Sequence, residues 1–232
     1  LRMIKSKSET DKIKNIVSIA SKVFDNLSNY MKIGMSEIDI CNIFKQQLNE
    51  NGADHTLYMS CASSNGGYDQ IICNPSDKKI KEGDILIIDT GSTFDGYFCD
   101  FDRNFAFGKI SAECQDAYKV LWEATEKVFE KIKPGKTCGD ISNFLIEILQ
   151  KSGLSSNSVG RMGHGLGLQV TEPPSIHPDD KTIIEENMIL TLEPCFEYLP
   201  GKMLVQEENI LITSKGYELL TTRTPQKIPI IT

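Results

Sequence analysis

The feature that most constrains this chain is an internal repeat, because residues 133–153 align with residues 32–52 without a gap. The identical pairs are Lys32/Lys133, Gly34/Gly135, Asp39/Asp140, Ile40/Ile141, Asn42/Asn143, Leu48/Leu149 and Gly52/Gly153. Each copy has the size of a helix and precedes a strand hairpin, so duplication explains the match better than chance does. The repeated unit, two helices followed by a hairpin, is too large for a repeat of a solenoid protein. The repeat therefore predicts one domain of two related halves, about 9–108 and 109–220, with pseudo-two-fold symmetry.

Apolar periodicity and turn signals predict two helices and a hairpin in each half. Ser36 and Thr137 occupy matching positions and are plausible N-caps of equivalent helices. Residues 53–75 mix short apolar runs with a loop signal at residues 63–67. Helices are predicted over residues 9–30, 36–52, 111–131 and 137–152, and strands over residues 83–91, 97–107, 188–198 and 203–213, with a glycine-rich segment at 160–168.

Composition narrows the classes of function. The chain has 32 acidic and 25 basic residues and a net charge of −7, which disfavours nucleic acid as a partner. No apolar run approaches the ~20 residues of a membrane span, and no signal peptide precedes the first helix. The seven cysteines include no CxxC pair, which is typical of free thiols in the cytoplasm. With three histidines, a metal site must depend on carboxylates, which favour hard cations.

The first hairpin carries acidic residues on both arms. A turn centred just before Asp95 would place Asp100 directly opposite Asp89. A turn centred on Asp95-Gly96 would instead place Asp102 opposite Asp89 and make Asp100 a diagonal neighbour. Both registers put these side chains on one face of the hairpin. Opposed like charges destabilise a strand pair, and a bound cation would remove that penalty.

The second hairpin repeats this arrangement, because Glu193 and Glu207 lie symmetrically about residue 200. His164 sits in a loop between Gly163 and Gly165, where backbone and ligand can approach closely. Two hairpins, one from each half, would bring four carboxylates together at the symmetry axis. Four carboxylates and one imidazole suit a pair of metal ions about 3.5–4 Å apart. Each acid alone also fits an ordinary strand-end or edge charge.

Five ordered motifs resemble those of the pita-bread metallohydrolases, which include Xaa-Pro aminopeptidases, prolidases, methionine aminopeptidases and creatinases. The match covers nearly the whole chain and is most similar to the catalytic domain of Xaa-Pro aminopeptidase-like members. It implies an α+β fold, with a curved antiparallel sheet backed by four main helices, and a single catalytic domain over residues 1–232. The N-terminal domain of a longer parent is expected to be absent. The motifs are Ile87–Gly91, Asp100–Phe105, Gly163–Leu168, Thr191–Pro194 and Glu207–Asn209.

The resemblance also implies a site. Its metal ligands would be Asp89, Asp100, His164, Glu193 and Glu207, holding two divalent ions, with Mn²⁺ favoured over Co²⁺ or Zn²⁺. These ions would activate a bridging water and polarise the scissile carbonyl, with Glu193 as general base and proton shuttle. Creatinases lack the metal ligands, so the five retained here disfavour a metal-free creatinase mechanism.

Two departures from the family pattern concern the substrate. Thr171 and Ile72 occupy positions where related peptidases carry histidines that contact the scissile group. Thr171 can still donate a hydrogen bond, and Thr171 or His177 is expected to steady the tetrahedral oxyanion. Losing one such donor can lower the rate by ~10²–10³. His177 and His55 are the available replacements, although each is more often a surface or core residue.

The leading hypothesis is therefore a dinuclear hydrolase of amide bonds that acts on Xaa-Pro peptides as an aminopeptidase or dipeptidase. Its partner would be a small peptide or amide substrate, and a homodimer is possible. Hydrolysis of a small non-peptide C–N bond, as by creatinase or ectoine hydrolase, is the first alternative. A catalytically weakened binding module is the second.

Overall fold

The computed structural model describes residues 2–153 and 160–232. Leu1 and residues 154–159, which belong to the predicted domain, lie outside the described residues. The helices are α1 (Lys7–Leu27), α2 (Glu37–Glu50), α3 (Ala112–Phe129) and α4 (Cys138–Lys151). The strands are β1 (His55–Asn65), β2 (Asp84–Phe94), β3 (Tyr97–Phe98), β4 (Phe101–Phe107), β5 (His164–Gly165), β6 (Glu172–Ser175), β7 (Ile189–Leu192), β8 (Cys195–Leu199), β9 (Lys202–Val205), β10 (Glu208–Thr213), β11 (Gly216–Leu219) and β12 (Ile230–Ile231).

The sequence repeat is also a repeat of local structure. Helices α2 and α4 begin at Ser36 and Thr137, and each N-cap forms a capping box with the aspartate three residues later. Gly34 and Gly135 have φ angles of 91° and 89°, a left-handed conformation that favours glycine. Matching local signals therefore start the second helix of each pair in the same way.

Strands assemble into two main sheets. One has the order β1-β2-β4-β12 with β3 added to β2, and the other has the order β11-β10-β7-β5-β6. Strands β8 and β9 form a separate pair. The pairing is antiparallel except between β12 and β4. Four helices and antiparallel sheets confirm the α+β class. None of the helices in the described part of the chain has the length and apolar character of a membrane span.

Strand β2 contains a continuous apolar run at residues 85–88 because both of its faces are buried there. Leu86 and Ile88 belong to a core formed with α1 and α2. Ile85 and Ile87 belong to a second core formed with α3, α4 and the other sheet. A strand covered on both sides reads as a continuous apolar run rather than an alternating one. This burial fixes the position of Asp89 between the two halves of the protein.

The interval 53–75 contains a strand that the loop signal concealed, since β1 extends through Asn65 before the chain turns at Gly66. Strand β1 pairs with β2 over most of its length. Its serines are buried with satisfied hydroxyls: Ser60 donates to the carbonyl of Ile71 at 2.7 Å, and Ser63 donates to Glu37 at 2.6 Å. Tertiary partners therefore override the local turn preference of serine.

The second hairpin is interrupted on both arms. Its ladder pairs Leu192 with Glu208 and then resumes with Cys195 opposite Val205. Pro194, which has no N–H to donate, lies in the gap. The backbone N–H of Glu193 instead donates to the carbonyl of Met162 at 3.0 Å. The predicted strands 188–198 and 203–213 are thus each two shorter strands, and the break lies where the acidic pair sits.

Candidate metal centre

Acidic side chains from both hairpins converge on one cavity of about 160 Å³, called the inner cavity here. Asp89 lies on β2 and Asp102 on β4, while Asp100 immediately precedes β4. Glu193 and Glu207 occupy the break in the second hairpin, and His164 comes from β5. The residues that line the cavity are Tyr58, Ile71, Ile72, Ile87, Asp89, Asp100, Asp102, Arg161, His164, Val170, Thr171, Glu193, Val205 and Glu207.

His164 is buried, and one hydrogen bond positions its backbone while another orients its ring. Its backbone N–H donates to the hydroxyl of Thr191 at 3.0 Å. Nδ1 lies 2.9 Å from the carbonyl oxygen of Gly165, which requires Nδ1 to carry the proton. Burial lowers the pKa of the imidazole, so the ring is neutral at pH 7. The lone pair of Nε2 is therefore available to a metal ion.

The glycine before His164 is required by close packing. Gly163 has a φ angle of 146°, and a Cβ atom there would overlap the carbonyl oxygen of Thr191. Since Thr191 also accepts the bond from the backbone of His164, the glycine and the threonine together set the position of the imidazole. This contact gives a physical reason for the glycine-rich segment.

Three potential ligands lie close enough to share one ion. Atoms of Asp100, His164 and Glu207 all lie within 4.8 Å of one another. Nε2 of His164 is 3.3 Å from Oδ2 of Asp100 and 3.8 Å from Oε1 of Glu193. The structure thus brings His164 together with acids from both hairpins.

The register of the first hairpin selects the second of the two arrangements. Asp89 pairs with Asp102 across β2 and β4, so Asp100 is the diagonal neighbour. Oδ1 of Asp102 accepts a hydrogen bond from the amide of Asn104 at 3.0 Å. Asp102 therefore adds a fifth carboxylate to the group, and this buried side chain lies opposite Asp89.

The electrostatics of the inner cavity are unfavourable without a cation. Burial, reinforced by the charge of Asp100, raises the pKa of Asp89 from 3.8 to about 8. Burial raises the pKa of Glu193 from 4.5 to about 7, and it also raises the pKa values of Asp100 and Glu207. Among the described residues, no hydrogen-bond partner reaches Oδ1 of Asp89, Oδ2 of Asp102, or Oε1 of Glu193 and Glu207. Carboxylate oxygens with one neutral imidazole form a donor set that fits divalent cations.

A buried network of ion pairs contacts the backbone of Glu207. Nη1 of Arg103 donates to the backbone carbonyl of Glu207 at 2.9 Å. Nη2 of Arg103 lies 3.0 Å from Glu208, whose other oxygen lies 2.9 Å from Nη1 of Arg223. Glu208 is fully buried and also accepts the backbone N–H of Thr224. Paired charges thus hold Glu207 in place without neutralising it.

The structure separates the four residues predicted to contact substrate. Thr171 and Ile72 line the inner cavity, and the Ile72 side chain is 74% exposed at its mouth. His177 lines an outer cavity of about 490 Å³, defined by Ile71, Ile72, Gly160, Arg161, Ser175, His177 and Glu193. His55 is exposed at the start of β1 and is absent from the described linings of both cavities.

Two side chains of the inner cavity were not predicted from sequence. Nε of Arg161 lies 3.5 Å from Oε1 of Glu193, and Nη2 donates to the hydroxyl of Thr171 at 3.3 Å. Tyr58 projects from β1, and burial together with the nearby charge of Asp89 raises its pKa. The position of Arg161 in the glycine-rich segment was the available signal for the first. Tyr58 lies in β1, the strand that was not predicted from the sequence.

Comparison with known proteins decides the family, because the profile of metallopeptidase family M24 matches residues 11–214. The chain belongs to this family. A peptidase of Staphylococcus aureus (strain USA300), named as uncharacterized, is 32% identical over 228 residues, which are 95% of this chain and 63% of that protein. The chain thus spans less than two thirds of this relative.

Solved structures agree with this membership. An X-Pro aminopeptidase from Thermotoga maritima MSB8 superposes with a TM-score of 0.92 at 29% identity, covering 99% of this chain and 65% of the other. An Xaa-Pro dipeptidase from Bacillus anthracis gives 0.91 at 28% identity, covering 99% and 64%. A methionine aminopeptidase from Thermotoga maritima shares the fold, with a TM-score of 0.85 at 22% identity and coverage of 96% and 100%. The resemblance to the pita-bread metallohydrolases is confirmed, and so is their fold.

Proposed function

We propose that this chain is the catalytic domain of a metal-dependent peptidase that hydrolyses amide bonds, with Xaa-Pro peptides as the first substrate class. The observation that carries the proposal is the inner cavity itself. Five acids converge there on one neutral imidazole, and four of them have a buried oxygen that no hydrogen-bond partner reaches among the described residues. Such a cluster is costly unless a cation binds it. Membership of a metallopeptidase family supports the same conclusion.

The residues that would hold the metal are Asp89, Asp100, His164, Glu193 and Glu207. A count of two ions is favoured because five ligand side chains exceed what one ion and one activated water need. Mn²⁺ is the preferred ion, since oxygen donors predominate, and Co²⁺ and Zn²⁺ are the alternatives. Asp102 lies opposite Asp89 on the paired strand and lines the same cavity, but it is not among the proposed ligands.

Bound divalent ions would supply an activated water and a polarised carbonyl. Glu193 accepts a proton as the water oxygen bonds to the carbonyl carbon, and the carbonyl π electrons move to its oxygen. The C–N bond then breaks, the electron pair goes to nitrogen, and Glu193 returns the proton there. The products are a carboxylic acid and an amine. The proposed ligand role of Glu193 would keep its carboxylate beside the reacting carbon.

The preference for Xaa-Pro peptides is supported by the structural neighbours whose names include that specificity. Thr171 and Ile72 support the alternative function, which is hydrolysis of a small non-peptide C–N bond. Both residues line the inner cavity at positions where related peptidases have histidine. His177 remains a candidate for contact with a longer substrate through the outer cavity.

Several features of the whole protein belong to the same proposal. The free thiols of all seven cysteines favour the cytoplasm as its compartment. A homodimer is also proposed, and its test is the mass of the purified protein in solution.

Two measurements test the proposal. Purified protein dialysed against Mn²⁺ should retain one to two ions per chain by mass spectrometry, and Ala-Pro and Ala-Pro-Gly should release alanine. Glu193→Gln and Asp100→Asn should abolish release while the circular dichroism spectrum is unchanged. Metal binding without turnover of any Xaa-Pro peptide would favour the non-peptide alternative. A protein that retains no metal would contradict the dinuclear site.

A further inference from the structure

The guanidinium of Arg161 occupies a position that the proposed reaction can use. Among the described residues that line the inner and outer cavities, Arg161 is the one lysine or arginine. It stands where the two cavities meet and is 38% exposed. One side of it is 3.5 Å from Glu193, and Nη2 donates to Thr171.

We propose that Arg161 is a catalytic residue that donates hydrogen bonds to the oxygen of the tetrahedral intermediate. This inference rests on the proposed function, since it concerns the same amide hydrolysis. Negative charge develops on the former carbonyl oxygen as water adds to the carbon. A positive donor already positioned there stabilises that charge more than it stabilises the neutral substrate.

The neighbours of Arg161 leave it as the best-placed group for this role. Thr171 is a neutral donor, and its hydroxyl oxygen already accepts the bond from Arg161. His177 is half-exposed in the outer cavity, and its Nδ1 lies 3.8 Å from Asp179. His164 presents Nε2 to the acids of the inner cavity. Thr171 thus acts as a positioning residue that aims the guanidinium.

The distance to Glu193 supports the same assignment. The carboxylate that moves the proton and the group that receives the negative charge must both lie within about 3 Å of the reacting carbonyl. Arg161 is within 3.5 Å of Glu193 without forming a short, bidentate pair with it. A guanidinium has five donors in a planar fork, so it can contact Thr171 and a substrate oxygen at the same time.

The test compares Arg161→Met with the wild type, both loaded with Mn²⁺ and assayed on Ala-Pro. We expect kcat to fall ~10²–10³-fold, as for loss of an oxyanion donor, with KM changed less than about fivefold. Added guanidinium chloride should restore part of the kcat of Arg161→Ala, and the control Lys181→Met should keep the kcat of the wild type with or without it. Lys181 is exposed and lies outside the described lining of both cavities.

A binding measurement makes the test independent of turnover. The probe is a phosphinic analogue of Ala-Pro, whose charged tetrahedral group replaces the scissile amide. Its Kd should rise about 10²-fold in Arg161→Met, while proline binds equally to both proteins. Unchanged Mn²⁺ stoichiometry by mass spectrometry is also expected.

Three results would overturn the inference. Loss of Mn²⁺ in Arg161→Met would assign the arginine to the structure of the metal centre. A rise in KM alone, confined to substrates with a free carboxylate, would make Arg161 a ground-state anchor. Equal kcat in variant and wild type would remove any role. A wild type that neither cleaves Ala-Pro nor binds the phosphinate would instead contradict the proposed function.

Discussion

The side chain of Asn209 clamps the backbone of Asp100. Oδ1 of Asn209 accepts the N–H of Asp100 at 3.2 Å, and Nδ2 donates to the carbonyl of the same residue. Both residues are buried, and they belong to different hairpins. This reciprocal pair joins the two sheets at the point where their acids meet, so it sets the distance between Asp100 and the ligands of the second hairpin.

Asn209→Ala should loosen the metal centre and lower stability. Two buried backbone groups would lose their partners, at about 1–3 kcal/mol each. Urea unfolding and Mn²⁺ titration should therefore both show a loss. Asn143→Ala, at an exposed position of α4, is the control and should change neither. Normal Mn²⁺ affinity in Asn209→Ala would show that the clamp does not position the site.

Metal binding should raise the melting temperature of the wild type. An ion that binds only the folded state at ~100 times its Kd contributes roughly 2.7 kcal/mol, or about 5–10 °C for a chain of this size. Asp100→Asn should abolish the increase, because it removes a member of the group around His164. Asp116→Asn, on the exposed face of α3, should retain it. An identical increase in all three proteins would place Mn²⁺ elsewhere.

The metal-free protein should lose stability as pH rises from 6.5 to 8. The folded state raises the pKa of Asp89 from 3.8 to about 8, so in this window it holds a proton that the unfolded chain has released. His164, whose pKa is lowered from 6.5 in the folded state, adds a smaller slope of opposite sign near pH 6.5, because the unfolded imidazole still holds part of a proton there. Urea midpoints in the presence of EDTA should fall with pH, and Asp89→Asn should reduce the slope.

Mn²⁺ should reverse that dependence, because metal competes with the same protons for the carboxylates. Midpoints measured with saturating Mn²⁺ should stay level or rise between pH 6.5 and 8. A metal-free midpoint that increases with pH would contradict the burial of ionisable acids in the inner cavity.

Two ion pairs offer a direct comparison of buried and exposed charge. Glu208→Gln leaves Arg103 and Arg223 without their buried carboxylate partner and should cost about 3–5 kcal/mol of unfolding free energy. Glu218→Gln breaks the exposed pair with Lys14, at 2.7 Å, and should cost less than about 1 kcal/mol. Urea unfolding measures both. Similar losses of unfolding free energy in the two variants would mean that the buried ion network of Glu208 does not stabilise the protein.

Thr171→His should separate the contribution of the threonine from that of Arg161. If the guanidinium supplies the positive donor, an added imidazole gives little gain in the wild type. It should raise kcat by tenfold or more in Arg161→Met, where the donor is missing. Assays of the four proteins on Ala-Pro form a double-mutant cycle, and additive effects would argue that the two positions act independently.

Sequence alone predicted much of the secondary structure. The four helices follow from apolar periodicity and from N-caps such as Ser36 and Thr137, whose capping boxes are complete within three residues. The acids of the first hairpin could be found because a strand repeats every two residues, so parity fixes the face of each side chain. Those of the second hairpin could be found from their symmetry about residue 200. The fold class and the family are confirmed, while the ligand roles remain predictions.

Tertiary structure decided what local patterns do not encode. Strand β1 exists because β2 supplies its partner, and the acidic pair of the second hairpin sits in a break that only the full ladder reveals. The hydrogen bonds between Asn209 and Asp100 join the two hairpins. The contact between Arg161 and Glu193 joins the glycine-rich segment to the second hairpin. The sequence thus determined which groups are present, periodicity determined their faces, and the packing of two sheets determined their distances. Chemistry at a metal centre depends on those distances.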